Sequence, residues 1–462
     1  LQAPQFPAYT LPSFVNHQNR PQNPKTYKEA FMSKPSLRKL GKTASIFVLC
    51  LVASTLSLWG QNGPQGKILG GYFEEWSIYG ANYNIANLQQ NGVAGKLTHL
   101  MYAFANVTTS PSPACAYADT WADYQTPYLP SVSGTPYSGP LFGNFAAIQQ
   151  LKQLHPNLKV LMSIGGASAA NTAAFTTAAS TPAGRQALAA SCISMFVEGN
   201  IAPGITAPGL FDGFNIDWEF PTATDTQNFT ALLAEFRLQL NALSKSTGKA
   251  YVMSFDGPAG AQNYVNIDLK HAAQQVDFIT IDGYNYAGSW DVQTNHASPL
   301  FDDQQDPLEG QGLDIDATVD AYLKAGVPPQ KYTMGLPLYG AGWTGVPNVN
   351  HGLYQGSTGP SPVPPGDVLA TPGLATYGTL ANAKANGYTW TFDARRFAVS
   401  LYNPSTETFY SYDDPNSAFL KMLYIEVKVP GGLGGAYVWA VKDDDANGTM
   451  VKTMAAVLRP SN

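Results

Sequence analysis

The chain has 462 residues, of which 44% are hydrophobic and 13% charged, with a formal net charge of −6. That length and apolar content allow one large core or two domains. The acidic balance excludes a protein that seeks nucleic acid or anionic membrane surfaces.

In chain order, residues 1–31 are Pro-rich and polar, and no fold is assigned to them. Met32 then opens a basic segment with Lys34, Arg38, Lys39 and Lys42, followed by an apolar run over 45–59. A basic segment before a short apolar run reads as a secretory signal. The run is short for a membrane span, which needs about 20 residues, so an uncleaved anchor is the minor alternative. Leu49 before Cys50 does not suit a lipoprotein signal. Residues 1–65 are thus expected to be an upstream segment and signal, with cleavage between Ser57 and Gly66 and a secreted product, extracellular or periplasmic. Removing residues 1–60, with seven basic residues and one acidic, takes the charge from −6 to −12. A neutral or cationic substrate is expected. Cys115 and Cys192 remain, and spacing alone leaves their pairing open.

Eight short apolar strands follow: 67–73, 97–105, 158–165, 210–219, 250–256, 277–284, 332–338 and 434–440. Helix-like runs such as 229–240 separate them. This alternation predicts an α/β fold, a parallel (β/α)8 TIM barrel over 66–462. A doubly wound open sheet is the alternative, although no Gly-x-Gly-x-x-Gly follows the first strand. One gap, 341–430, reads as too long for a single helix. Its Gly, Pro and Tyr content and short β-like runs predict a small α+β insertion between strands 7 and 8.

The fourth strand carries the chemistry. In Asp212-Gly-Phe-Asn215-Ile-Asp217-Trp-Glu219-Phe-Pro221, residues two apart share a face. Phe211, Gly213, Asn215, Asp217 and Glu219 should point one way, and Phe214, Ile216 and Trp218 the other. Unpaired acids in a packed core are costly, so Asp217 and Glu219 should face a cavity where they act.

This stretch resembles the catalytic strand of glycoside hydrolase family 18, the chitinases and their relatives. That family reads Asp-x-x-Asp-x-Asp-x-Glu, usually followed by Tyr-Pro. Here the second acid is Asn215 and the Tyr is Phe220. Ser163-Ile-Gly-Gly166 resembles the third-strand signature, with Ala167 where Trp is frequent. Asp282-Gly-Tyr284-Asn285 stands where the family reads Met-x-Tyr-Asp, and Tyr339-Gly-Ala341-Gly-Trp343 resembles Tyr-Gly-Arg-Gly-Trp. Ser411-Tyr-Asp-Asp-Pro415 resembles the end of the family's insertion.

The resemblance implies Glu219 as general acid, Asp217 as the group that orients the substrate's acetamide, and Tyr284 as its hydrogen-bond partner. Asp212, Asn215, Asp282 and Asn285 are the expected supporting residues. Tyr72, Trp76, Gly166 and Trp439 are expected against the sugar. Phe104 and Trp343 are candidates for the same wall, and equally for packing. The implied reaction is retaining hydrolysis of β-1,4 N-acetylglucosamine linkages in chitin or chitooligosaccharides, with the substrate's own acetamide as nucleophile. Alternatives are an endo-β-N-acetylglucosaminidase of N-glycan cores and a catalytically impaired chitin-binding protein. No cofactor is expected, and a monomer is. Asp443-Asp-Asp445-Ala-Asn447-Gly448 opens like a calcium loop, but Met454 stands where the bidentate Glu belongs, so no metal is expected.

Overall fold

A computed structural model describes residues 66–459. The expectations for the upstream segment, signal and cleavage site lie outside the described residues. The barrel strands are β1 (Ile68–Glu74), β2 (His99–Thr108), β3 (Lys159–Gly165), β4 (Gly213–Asp217), β5 (Val252–Gly257), β6 (Phe278–Ile281), β7 (Tyr332–Pro337) and β8 (Gly435–Trp439). Each pairs in parallel with the next, and β1 pairs with both β2 and β8. The sheet is therefore a closed (β/α)8 barrel, and closure rules out the open doubly wound sheet.

These strands read as near-continuous apolar runs because both their faces are covered. Phe214, Ile216 and Trp218 face outward and share a core with Phe229, Leu232, Phe236 and Leu240 of the helix Thr226–Thr247. Inside, Tyr72, Met101, Ala103, Leu161, Phe278 and Tyr437 fill the barrel. One expected alternation fails. Phe211 packs outside, against Tyr102, Phe145 and Phe196, and not on the face of Asn215. The strand proper starts only at Gly213, whose φ of 150° resets the alternation. A Cβ there would lie 1.7 Å from the Val252 carbonyl oxygen, so only glycine fits.

The expectation of one long gap undercounts. Between β2 and β3 lie an edge strand, Ala114–Tyr117, antiparallel to β2, and the helix Gly143–Leu154. Between β6 and β7, residues 282–314 form neither helix nor strand before the helix Ile315–Ala325. Irregular segments of this kind carry no periodicity to read. Between β7 and β8 stands an antiparallel sheet of six strands, from Tyr339–Thr344 to Thr408–Tyr412. The helix Pro415–Val427, within the expected insertion, packs against the last helix, Thr449–Leu458, of the barrel layer. Cys115 and Cys192 form a disulfide that ties the edge strand to the helix Pro182–Cys192. Among the described residues no helix is long and apolar enough to cross a membrane.

Candidate active site

The C-terminal ends of the strands form the mouth. Asn215 and Asp217 point inward from β4, and Glu219 follows just beyond its end. Thr172 Oγ1 donates to the Glu219 carbonyl oxygen at 2.6 Å, and the Gly166 N–H donates to that of Asp217 at 2.9 Å. A Cβ on Gly165 would sit 2.0 Å from that same Asp217 oxygen, and one on Gly166 would sit 2.7 Å from the Phe104 ring. The two glycines therefore let β3 approach the acidic strand and the Phe104 ring reach the mouth. Gly166 acts through its backbone and its lack of a side chain.

Asn215 is fully buried and spends all its hydrogen-bonding capacity. Its Oδ1 accepts from Tyr72 Oη at 3.0 Å and Ser163 Oγ at 2.8 Å. Its Nδ2 donates to Ser254 Oγ at 2.9 Å and Thr280 Oγ1 at 3.2 Å. It is a fixed girder and offers neither charge nor proton. Asp217 is 4% exposed, and its Oδ1 has no partner. Burial, then the Asp282 charge, pushes its carboxyl up to about 8, against a hydrogen bond from Glu219 that favours its charge. Glu219 is raised well above the carboxylate range, first by burial, then by Asp217 and Asp282. The pair thus holds protons into the neutral range.

Asp282 lies past β6. Its Oδ1 accepts from Tyr437 Oη at 2.8 Å, and Tyr284 also bonds its carboxylate. Burial raises it only to about 6, because both phenols stabilise its charge. Tyr284 is buried, with its hydroxyl 3.5 Å from that of Tyr437. Asn285 adopts φ of 60°, which asparagine tolerates, and accepts from Tyr339 Oη at 2.8 Å. An aromatic wall closes one side. Phe104 stacks between Trp76, at 6.0 Å, and Trp439, at 5.7 Å, and Tyr72 lies 5.1 Å from Trp439. Three peptide bonds here are cis: Ala103–Phe104 within β2, Glu219–Phe220 just past β4 and Trp439–Ala440 at the end of β8.

Two expected residues lie elsewhere. Asp212 sits at the N-terminal end of β4, where its Oδ2 accepts from the Val160 N–H at 2.8 Å and from Lys152 Nζ at 2.7 Å. It precedes the strand, so its carboxylate anchors the far end of the barrel and cannot support chemistry at the mouth. Trp343 is fully buried inside the insertion, packed with Ala287, Ala297, Ala341 and Phe409. Its Nε1 donates to the Asp291 carbonyl oxygen at 3.1 Å. It is core, the packing alternative of the sequence reading. The loop that opens like a calcium site instead caps the last helix: Asp444 and Asp445 accept from the N–H groups of Thr449, Met450 and Val451.

Sequence reasoning missed Asp256 and Tyr437. Asp256, on β5, is 7% exposed and raised well above its usual range, by burial first and then by Asp282, Asp217 and Glu219. Its Oδ1 accepts from Thr280 Oγ1 at 3.2 Å, one hydroxyl away from Asn215. Alternation signalled both: Asp256 shares a face with Ser254, and Tyr437 with Trp439.

The fold and the mouth define a class: a barrel with a hydrogen-bonded carboxyl pair at the end of its fourth strand, walled by aromatic rings. Within that class, the chain belongs to glycosyl hydrolases family 18, whose family model matches residues 68–444. It is similar to Chitinase A1 of Niallia circulans, at 32% identity over 417 residues, covering 82% of this chain and 56% of that protein. It is also similar to Chitinase 1 of Aphanocladium album, at 30% identity over 374 residues, covering 80% of this chain and 79% of that one. The solved catalytic domain of psychrophilic chitinase B from Arthrobacter TAD20 matches with a TM-score of 0.76 and 32% identity, over 86% of this chain and 96% of that one. The chain spans little more than half the length of some curated relatives, 56% of Chitinase A1 and 59% of Chitinase C from Streptomyces lividans.

Proposed function

We propose that this chain hydrolyses β-1,4 N-acetylglucosamine linkages in chitin and chitooligosaccharides, with retention and with the substrate's acetamide as nucleophile. The observation that carries this reading is that Asp217 ends β4 and Glu219 follows two residues on, two buried carboxyls close enough to interact with each other. Glycosidases that use two carboxyls across a sugar ring hold them about 5–5.5 Å apart for a protein nucleophile and about 6.5–9.5 Å apart for a water nucleophile. Carboxyls that bond each other sit on one side of the scissile bond and do neither. This arrangement favours a nucleophile supplied by the substrate, which requires a 2-acetamido sugar.

In this reading Glu219 gives its proton to the glycosidic oxygen as the C1–O bond breaks. The acetamide oxygen attacks C1, held by the Tyr284 hydroxyl. Asp217 orients the acetamide N–H and balances the positive oxazolinium. Water then attacks C1, Glu219 takes the water's proton, and configuration is retained. Trp439, with Tyr72, Trp76 and Phe104 beside it, gives the sugar an apolar face to stack on. The sheet between β7 and β8 suits a linear polymer better than a branched N-glycan. The disulfide suits an oxidising, secretory destination.

A second reading, an impaired chitin-binding protein, draws on Asn215, Asn285 and Ala341 in place of charged family residues. Incubation with chitotetraose, read by mass and anomer ratio, separates the two. Cleavage to β-anomeric products is expected, and binding without cleavage would favour the second reading.

A further inference from the structure

Tyr437 has no assigned role, yet the barrel is built around its hydroxyl. The ring is fully buried on β8 and lies edge-on to Tyr72, 5.5 Å between centroids. Its oxygen reaches across to β6 and donates to Asp282 Oδ1 at 2.8 Å, while lying 3.5 Å from the hydroxyl of Tyr284. The space for it comes from β7: a Cβ on Gly335 would sit 2.5 Å from the Tyr437 oxygen. Asp282 is fixed from its other side too, its N–H donating to the Gly257 carbonyl oxygen of β5 at 3.0 Å. Three strands thus hold one carboxylate beside the reacting groups.

We propose that Tyr437 and Asp282 form one positioning unit for the reaction: the phenol on β8 fixes a carboxylate past β6 beside Tyr284, and that carboxylate sets the pH range over which Glu219 keeps its proton. This rests on the reading above, in which Glu219 is the acid. The surroundings leave Asp282 little competition. The groups facing it and the Asp217–Glu219 pair are Tyr72 on β1, Asp256 on β5, Tyr284 past β6, Tyr339 past β7 and Tyr437 on β8. Acids, phenols and the Thr280 hydroxyl surround the four carboxyls, and among the described residues no Lys or Arg pairs with them. In such a cluster the first charge settles where donors are best, which is on Asp282, held down to about 6 by two phenols. That charge then raises Asp217, Glu219 and Asp256.

The two partners give signatures of different size in kcat/KM against pH on a chitooligosaccharide, a profile that reports groups of the free enzyme. Asp282→Asn removes a like charge beside Glu219. The acid then loses its proton earlier, and the alkaline limb should move to lower pH by about a unit. Tyr437→Phe removes a donor that stabilises the Asp282 charge. Asp282 then ionises less readily, and the alkaline limb should also move to lower pH, by less than in Asp282→Asn because the carboxyl is still there to ionise. A space-filling role alone would lower the curve without moving its limbs. Wild-type limbs in either variant, or an alkaline limb that rises in Asp282→Asn, would overturn the proposal. Glu219→Gln run in parallel isolates the underlying reading: an inactive Glu219→Gln with unmoved limbs in the other two refutes only the positioning unit, whereas an active Glu219→Gln refutes the assignment of the acid itself.

Discussion

Where the 282–314 segment meets the chain leading out of the insertion, Lys421 is buried with its Nζ 2.7 Å from each oxygen of Asp413 and 2.6 Å from the Ser298 carbonyl oxygen. Arg396, 1% exposed, pairs with Asp306 at 2.7 Å and donates to Asn295 Oδ1 at 2.9 Å. At the barrel mouth, Asp217, Glu219, Asp256 and Asp282 gather, and among the described residues no Lys or Arg pairs with them. Both regions remove charges from water, which is costly. The first answers with opposite charge and full hydrogen bonding. The second answers with protons, which its carboxyls keep into the neutral range. A paired charge is fixed in place, while a carboxyl that holds a proton can give it away. The same expense buys architecture in one place and reactivity in the other.

Breaking the comparison at the mouth should have the largest effect. Glu219→Gln keeps the shape of the side chain and removes the proton donor. Hydrolysis should fall by at least the roughly 10²–10⁴-fold that general acid catalysis supplies, while chitooligosaccharide binding, measured by calorimetry, persists through the aromatic wall. Near-normal turnover would place the acid elsewhere. At the junction the loss should appear in stability instead. Lys421→Met leaves Asp413 buried without its partner, which typically costs about 3–5 kcal/mol. Denaturant unfolding should show a loss of that size. A loss below about 1 kcal/mol would mean the pair contributes little to the folded state.

A third measurement sharpens the contrast through pH. The mouth carboxyls have folded values raised above their unfolded ones, so the folded state binds more protons than the unfolded state. Stability from that source is present at low pH and is lost as pH rises through the folded values. With Asp282 raised to about 6, its share should disappear between roughly pH 4 and 6, at up to about 1.4 kcal/mol per pH unit per proton. Unfolding free energy followed from pH 4 to 7 should decline less steeply in Asp282→Asn than in the wild type. Equal slopes would show that Asp282 is not raised in the fold.

How much of this was legible depended on periodicity. Eight apolar runs separated by helices predicted the barrel, because strands covered on both faces must be apolar. The acid pair was legible because alternation put Asp217 and Glu219 on one face. Alternation misled where backbone geometry intervened, as at Gly213, which turns Phe211 outward. Motif likeness misled where it carried no depth. Asp212 sits in the family's pattern, yet it anchors the far end of the barrel, while for Trp343 the pattern left packing open and packing is its role. For Tyr437 and Asp256, alternation gave the inward face and nothing more: each matters through a neighbour on another strand, and register between strands is not written in either strand alone.

The smallest effect concerns the girder itself. Asn215 lies one pleat from Asp217 on the inward face, and its Nδ2 donates to the hydroxyls of Ser254 and Thr280. A carboxyl introduced by Asn215→Asp fits the same space. Ser254 can turn its hydroxyl to donate to it, whereas Thr280 already directs its own toward Phe255 O and Asp256. With the Tyr72 and Ser163 hydroxyls that already donate at Oδ1, the new group would find at least as many donors as Asp282 has, and would ionise readily. Once ionised, it adds a like charge next to Asp217 and, through Asp217, near Glu219. Like charges disfavour further ionisation, so Glu219 should hold its proton to higher pH. The alkaline limb of kcat/KM should then move upward, by up to about a unit, opposite in sign to the shift expected for Asp282→Asn. Combining the two substitutions should return the limb toward its wild-type position, because one charge is added where another is removed. An alkaline limb that stays put or moves downward in Asn215→Asp would show that position 215 supports the strand without tuning the acid.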